Sequence, residues 1–381
     1  RYTECKAHRN LNWLLDKESD VAAIKVPTYD DKGLEYYFML AKIPLGMLVS
    51  SNNISIGKKV DIPSHNINEI IDISIDIIRK GYQISLPKAM NILKGPEHRL
   101  YACNMLINEH EWKGILKYGK GKVQAEHRIE VTEDGFNIIG IPTETKIEKT
   151  LALLTEVNAK YNIATEINDL SDSKGLLIEV EFKTLRGKEK VVAEKFISEF
   201  IRRGRTNIFY NFYVCKQIAN QAPNLSETAT FRTEQIGLIE YLVDFQERRK
   251  HYKMKALFIR IEKLKFEIEV EELRLIIAKD IDKFIKLVQS SDSNKNAFEN
   301  VAKAYNTKYE IAERVVSSSF TSYVNKNEKI LKELERLQKE LEETQWKIDN
   351  IDVYLVNELI ELKDKIGFDR VSTVTNIKTI Q

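Results

Sequence analysis

The chain has 381 residues, 43% of them hydrophobic and 30% charged, which suits a soluble protein of about two or three domains. Its formal net charge of +2 neither favours nor excludes a nucleic-acid partner, because a local basic groove can exist on a nearly neutral protein. Cys5, Cys103 and Cys215 are far apart, with no disulfide or metal-binding spacing, which favours a reducing, cytoplasmic compartment. No apolar run reaches the roughly 18 residues that a membrane span requires.

The first part of the chain predicts short helices and strands in alternation. Residues 5–16 are predicted to form an amphipathic helix, and residues 67–80 a second one that Asn66 caps. Strands are predicted at 122–131, 136–141, 175–183 and 207–214, and further helices at 143–160 and 189–202. Thr145 and Glu148 have the spacing of a capping box at the start of one of these helices. Because strands and helices interleave, we expect a mixed α/β or α+β domain here.

After about residue 233 the sequence becomes helical, with apolar residues at alternating spacings of four and three. The first seam comprises Leu257, Ile261, Leu264, Ile268 and Leu275; the second comprises Ile330, Leu334, Leu337, Leu341, Thr344, Ile348, Ile351, Leu355, Leu362 and Ile366. This spacing is typical of coiled coils. The pattern predicts a long antiparallel coiled-coil arm with a small helical tip at about 289–327.

Several short motifs follow one another along the chain. They are Arg1-Tyr2-Thr3-Glu4, Lys42-Ile43-Pro44, Leu48-Val49 with the segment through Gly57, Ile62-Pro63-Ser64-His65-Asn66, Gly119-Lys120-Gly121-Lys122-Val123, Gly140-Ile141-Pro142, Asp172-Ser173-Lys174-Gly175 and the Phe245, Arg248, Arg249 segment. In this order and spacing, the motifs resemble the breakage-reunion (A) subunits of bacterial DNA gyrase and topoisomerase IV and the medium subunit of phage topoisomerases. Two departures are Asn53, where the family has Gly, and Ser64, where it has Pro.

The resemblance implies the chemistry of a type IIA DNA topoisomerase. Tyr2 matches the nucleophile that forms a transient 5′-phosphotyrosyl bond with DNA, and Arg1 would stabilise the charged phosphate. Mg²⁺ would be held by the TOPRIM domain of a partner protein, and ATP by the ATPase domain of that partner, so this chain needs no metal or nucleotide site of its own.

The resemblance also suggests DNA-binding residues. Ile54 matches the apolar wedge that enters a base step and bends the DNA. Lys58 and Lys59 beside it, and Lys120 and Lys122 in the Gly-Lys-Gly-Lys turn, are candidates for phosphate neutralisation. Buried-loop and ordinary surface roles are the alternatives for these residues.

The implied fold class is α+β, with four regions. Residues 1–44 would end a winged-helix DNA-gate domain, 45–232 would form a mixed α/β tower, 233–366 the coiled coil with its exit-gate tip, and 367–381 a C-terminal tail. Twofold pairing of the tips would give a homodimer.

Two regions of the family have no counterpart in this sequence: the winged-helix part upstream of Tyr2 and the C-terminal wrapping domain. We therefore expect either a separate upstream fragment as partner, as in a split phage gene, or a truncated chain, and relaxation or decatenation rather than negative supercoiling. A non-catalytic coiled-coil scaffold or clamp for DNA is the rival from another class, and a coiled-coil RNA-binding protein is a third hypothesis.

Overall fold

The computed structural model describes residues 6, 8–36, 39–55, 58–97, 102–142, 145–172, 175–183, 187–217, 231–318 and 327–377. The chain divides into two compact units. The first comprises residues 1–15, 41–249 and 355–381, and the second comprises residues 16–40 and 250–354.

The helices lie in both halves of the chain. They are α1 (Leu11–Leu14), α2 (Ile67–Arg79), α3 (Leu86–Ile92), α4 (Glu109–Tyr118), α5 (Ile147–Tyr161), α6 (Lys188–Arg203), α7 (Leu238–Lys279), α8 (Ile281–Gln289), α9 (Asn294–Ala304), α10 (Tyr309–Val316), α11 (Asn327–Asp349) and α12 (Ile351–Ile366). Short 3₁₀ helices add Lys17–Ala22 and Leu45–Met47.

Most of the strands precede α7. They are β1 (Lys25–Pro27), β2 (Leu34–Tyr36), β3 (Ser51–Ser55), β4 (Lys58–Ile62), β5 (Asn104–Asn108), β6 (Lys120–Glu126), β7 (Arg128–Val131), β8 (Gly135–Gly140), β9 (Ala164–Asp169), β10 (Ile178–Phe182), β11 (Thr206–Asn211), β12 (Tyr213–Gln217), β13 (Phe231–Gln235) and β14 (Thr373–Ile377).

Two sheets organise the first unit. A six-stranded sheet has the order β14-β5-β6-β11-β4-β3, and a four-stranded antiparallel sheet has the order β7-β8-β10-β9. The four-stranded sheet packs with α5 and α6 around an apolar cluster that includes Phe136, Phe196 and Phe200, all fully buried. The β1-β2 hairpin belongs to the second unit, and β12 pairs with β13.

Two predicted helix starts have different outcomes. The Asn66 cap is confirmed, since its side-chain oxygen accepts hydrogen bonds from the backbone N–H groups of Asn68 and Glu69. The capping box is wrong, because α5 begins at Ile147 after Lys146, whose side chain makes no capping hydrogen bond. The predicted helix at 5–16 is only α1, four residues long, followed by the first 3₁₀ helix.

The residues that follow α12 join the six-stranded sheet. β14 pairs in parallel with β5, a strand that lies far earlier in the chain. The guanidinium of Arg370 holds this segment in place: its Nε lies 2.6 Å from Oε1 of Glu69, and its Nη1 lies 2.9 Å from Oε2 of Glu97. Burial raises the pKa of Glu97 against the opposing effect of Arg370.

In the second unit, the buried stripe of α7 departs from the predicted heptad seam. Leu257, Ile261 and Leu264 are buried as expected, but Ile268 and Leu275 are only half-buried. Val270, Leu273 and Ile277 are buried in their place, in a cluster with Phe284 of α8, Val301 of α9 and Ile311, Ala312 and Val315 of α10. The core of these short helices therefore sets which face of α7 is covered there.

Residues 16–18 are attached to α7 by a buried ionic cluster. Nζ of Lys253, fully buried, lies 2.5 Å from Oδ1 of Asp16 and 3.1 Å from Oε2 of Glu18. Lys347 of α11 and the hydroxyl of Tyr354 of α12 also contact the Glu18 carboxylate, at 2.8 and 2.6 Å. Burial alone would raise the pKa of Glu18, but these neighbours lower it to about 2.

The structure confirms the predicted α+β class, with a mixed α/β region followed by the 42-residue helix α7. An ion pair joins Arg260 of α7 to Glu340 of α11, while the coiled-coil arm itself stays a prediction. No helix in the described ranges is long and apolar enough to cross a lipid bilayer.

Candidate nucleic-acid interface

Ile54 lies near the end of an exposed hairpin at the edge of the six-stranded sheet. β3 pairs with β4 in antiparallel fashion, so that Ile54 is directly opposite Lys59. The Ile54 side chain is 79% exposed, which places a large apolar group in solvent at the position predicted for a wedge. Burying this surface against a partner would be favourable.

The Gly-Lys-Gly-Lys segment is a sharp connection between α4 and β6. Gly119 caps α4 in the left-handed region with φ of +68°, and a Cβ there would lie 1.9 Å from the carbonyl oxygen of Ile236. A Cβ on Gly121 would lie 2.8 Å from Cγ1 of Ile115. Both glycines are therefore needed for packing, and they present Lys120 and Lys122 on β6.

The strand register places most of the candidate residues on one face of the sheet. Lys120 pairs with Asn211 of β11, Asn211 pairs with Asp61 of β4, and Lys59 lies two residues before Asp61. Directly paired residues in an antiparallel sheet point to the same side, and so do residues two apart on a strand. Ile54, Lys59, Lys120 and Lys122 thus share a face, which we call the lysine face. Lys58 lies on the opposite face.

Neighbouring groups modulate the charge of these lysines. Nζ of Lys59 lies 3.1 Å from Oδ1 of Asp61, which offsets part of its charge, although the Lys59 side chain remains 56% exposed. Nζ of Lys58 lies 4.8 Å from the centre of the Tyr213 ring, a cation–π distance. Lys120 is exposed and Lys122 is half-buried.

Two residues of this face were not identified from the sequence. Phe209 pairs with Lys122 and is 52% exposed, and Asn211 pairs with Lys120. The side-chain amide of Asn211 donates to the carbonyl oxygen of Lys59, which ties β11 to β4. The alternation in Asn207-Ile208-Phe209-Tyr210-Asn211 carried the signal, because its odd-numbered residues are those that a half-buried strand exposes.

A buried ring cluster supports the opposite side of β11. The hydroxyl of Tyr210 lies 3.1 Å from Nε2 of His65, and the ring of Trp112 lies 5.9 Å from that of Tyr210. Burial, aided by Arg370, lowers the pKa of His65 to about 3, so the imidazole is neutral. Since Tyr210 lies between Phe209 and Asn211, this cluster fixes the position of both on the lysine face.

The predicted catalytic residues Arg1 and Tyr2 lie outside the described residues, as do Ser173 and Lys174 of one motif. Among the residues that are described, no group of three or more histidine, cysteine or acidic side chains is placed to hold a metal ion. These residues do not fit a metal centre, so we assign no step through a metal to this part of the chain.

The chain belongs to the family of the DNA gyrase/topoisomerase IV A subunits, whose family model matches residues 1–360. It is similar to the A subunit of DNA topoisomerase 4 from Streptococcus pyogenes, with 28% identity over 98% of this chain and 44% of that protein. The corresponding protein from Staphylococcus epidermidis, of the same name, is 26% identical over 98% of this chain and 46% of its own length. The chain therefore spans less than half the length of these relatives.

Proposed function

We propose that this chain is a DNA-gate, or breakage-reunion, component of an ATP-dependent type IIA DNA topoisomerase that works in a complex. The observation that carries the proposal is the family match over residues 1–360. The lysine face is consistent with it, because an exposed isoleucine beside aligned lysines suits a bent duplex.

Tyr2 is the proposed nucleophile. Its phenolic oxygen attacks a backbone phosphorus, an O–P bond forms to the 5′ phosphate, and the 3′ oxygen leaves and takes up a proton. The reverse attack by the 3′ hydroxyl reseals the strand and releases the tyrosine, so no bond energy is lost. Arg1 stays protonated, and its guanidinium can hold two phosphate oxygens during both steps.

The lysine face is the proposed contact with the gate duplex. Ile54 would enter a base step and open it, while Lys59, Lys120 and Lys122 would neutralise phosphates on either side. Lys58 on the opposite face would serve a phosphate only where the duplex wraps around the end of the hairpin.

The remaining parts of the reaction are assigned to partners. A B-type protein would bind ATP and hold Mg²⁺ in its TOPRIM domain, and a winged-helix segment would complete the DNA site. We further propose that residues 1–44, 45–232 and 233–366 correspond to the end of the winged-helix domain, the tower, and the coiled coil with its exit gate. Pairing of two tips near 289–327 would make the homodimer.

The test is a trapping assay. This chain is mixed with its ATPase/TOPRIM partner, a winged-helix fragment, Mg²⁺ and supercoiled DNA, and detergent is added to trap covalent adducts. We expect DNA attached to this chain, and loss of the adduct in Tyr2→Phe. Tyr29→Phe is the matched control, because the side chain of Tyr29 is fully exposed.

The presence of an adduct and its dependence on Tyr2 distinguish the topoisomerase hypothesis from the non-catalytic scaffold. An adduct that survives Tyr2→Phe would remove Tyr2 from the mechanism. A stable assembly on DNA without any adduct would favour the non-catalytic scaffold, for which Tyr2→Phe changes nothing.

A further inference from the structure

A polar cavity lies in the first unit, apart from the residues assigned to the DNA contact. It has a volume of about 360 Å³ and lies where the start of α5, the end of α6 and the start of β11 approach one another. Three basic side chains line it, those of Lys149, Arg203 and Arg205, and the other polar lining residues are His127, Thr145, Thr150, Thr206 and Asn207. Among the described residues that line the cavity, none is acidic.

A buried imidazole forms one wall of this cavity. His127 is only 3% exposed, and its Nε2 lies 3.1 Å from Oγ1 of Thr150. Its Nδ1 has no hydrogen-bond partner among the described residues, and neither does the buried Oγ1 of Thr206. A Cβ on Gly204 would lie 2.5 Å from Nδ1, so this edge of the ring packs against Gly204, which itself lines the cavity.

The first turn of α5 forms another wall. Thr145, Lys149 and Thr150 line the cavity, and the N-cap residue Lys146 contributes no side-chain acceptor to the helix. The N-terminus of a 15-residue helix carries partial positive charge and backbone donors that favour an anion.

The charges around the cavity favour an anion as well. Arg203 pairs with Glu156 at 2.6 Å and Arg205 with Glu126 at 3.0 Å, so the charges of two of the three cations are partly offset. Each guanidinium has five N–H donors, and these ion pairs use only part of them. Lys149 is exposed, and Arg203 in the last turn of α6 offsets the negative end of that helix.

We propose that this cavity binds a phosphate group, held by Lys149, Arg203 and Arg205 beside the N-terminus of α5. A phosphate offers acceptor oxygens to the Lys149 ammonium, to the remaining guanidinium donors and to the backbone N–H groups at the start of α5. Burial lowers the pKa of His127 to about 4, so the ring is neutral. His127 is therefore a buried neighbour of the bound phosphate, and its ring signal reports on the cavity.

The phosphate can come from the DNA backbone or from a free phosphate compound. Asn207 lines the cavity and pairs with Gln124, two residues beyond Lys122 on β6, so the cavity adjoins the lysine face. The DNA source therefore rests on the proposed function, whereas the free-phosphate source does not.

The first experiment titrates the whole chain with inorganic phosphate and follows the ring signal of His127 by NMR, against sodium chloride at equal ionic strength. We expect a saturable shift of this signal with phosphate. Lys149→Gln should weaken binding about tenfold, whereas Lys146→Gln should not change it. Lys146 is the matched control because it is exposed, three residues away, and outside the cavity.

The second experiment measures binding of a short duplex at several salt concentrations. The plot of log K against log salt has a negative slope. If the phosphate belongs to DNA, the magnitude of this slope decreases by about one in Lys149→Gln and does not change in Lys146→Gln. An unchanged slope together with a phosphate-dependent His127 shift assigns the site to a free phosphate compound.

The proposal is overturned if phosphate leaves the His127 signal where chloride leaves it and the two variants show the same salt slope. Loss of DNA cleavage in the trapping assay bears on Tyr2 alone, since the phosphate titration needs neither DNA nor a partner protein.

Discussion

Ile54 presents a large aliphatic side chain, 79% exposed, at the edge of the six-stranded sheet. We predict that Ile54→Ala leaves the stability of the protein within about 0.5 kcal/mol, since no packing is removed. It should reduce duplex bending several-fold, because the inserted side chain holds the unstacked base step open. Energy transfer between the labelled ends of a duplex measures the bend, with Val49→Ala, 70% exposed, as the control. If the two variants bend the duplex equally, Ile54 does not act as a wedge.

His127 makes the stability depend on pH in a definite direction. Its pKa is near 6.5 in the unfolded chain and about 4 in the folded chain because of burial. Between these values only the unfolded chain binds the proton, so stability falls by roughly 1.4 kcal/mol for each pH unit from 6.5 down to about 4. His65, whose pKa burial lowers to about 3, adds to this effect, while the raised pKa of Glu97 opposes it.

The corresponding measurement is urea unfolding from pH 7 to 4.5 in the parent protein, in His127→Gln and in His8→Gln. The His127 variant should lose the part of the pH dependence that comes from binding one proton to His127, and His8→Gln, at an exposed position, is the control. The effects of His65 and Glu97 are common to all three proteins and cancel in the comparison. Parallel pH profiles would show that His127 charges in the folded state.

At the scale of elements, the attachment of residues 16–18 to α7 depends on one buried lysine. Lys253→Met leaves Asp16 and Glu18 without their central cation, and we predict a decrease of about 3–5 kcal/mol in the stability of the second unit. Adding Asp16→Asn should restore part of it, because the uncompensated charge is removed. Urea unfolding measures both, with Lys263→Met on the exposed side of α7 as the control. A small decrease with no rescue would mean that the ions are well hydrated.

Strong local patterns were predictable from the sequence, and long-range pairing was not. The apolar periodicity of 67–80 and the Asn66 cap located α2 to within a residue, since both signals are local. β14 and β5 were missed: each is a five-residue strand, and their pairing joins segments far apart in the chain. The seam of α7 failed beyond Leu264, where packing against α8, α9 and α10 decides which residues are buried.

The residues of the candidate site were also predictable from the sequence only in part. Ile54 and the four lysines were identified through a family resemblance, but the common face of most of them depends on a register that joins β6, β11 and β4. Phe209 and Asn211 were missed because no motif contains them. The cavity that Lys149 and Arg203 line could not be predicted from the sequence. These residues lie on different helices and line the same cavity only because α5 packs against α6.

At the scale of the whole molecule, a formal net charge of +2 says little about DNA affinity, because binding depends on where the charge lies. The triple variant Lys59→Gln, Lys120→Gln and Lys122→Gln should decrease the magnitude of the negative slope of log K against log salt by about three. This is close to one for each phosphate that is no longer neutralised. A matched triple variant replaces three exposed lysines elsewhere, Lys263, Lys332 and Lys339, and has the same net charge.

Fluorescence anisotropy of a labelled duplex at a series of salt concentrations gives both slopes. If net charge governs binding, the two triple variants show the same decrease in slope and the lysine face has no special role. If the face is the interface, only the first variant shows it, and the second binds as the parent does. Urea unfolding checks that both variants are folded in the binding assay; the first variant should be somewhat less stable, because Lys59→Gln leaves the buried Asp61 without its cation.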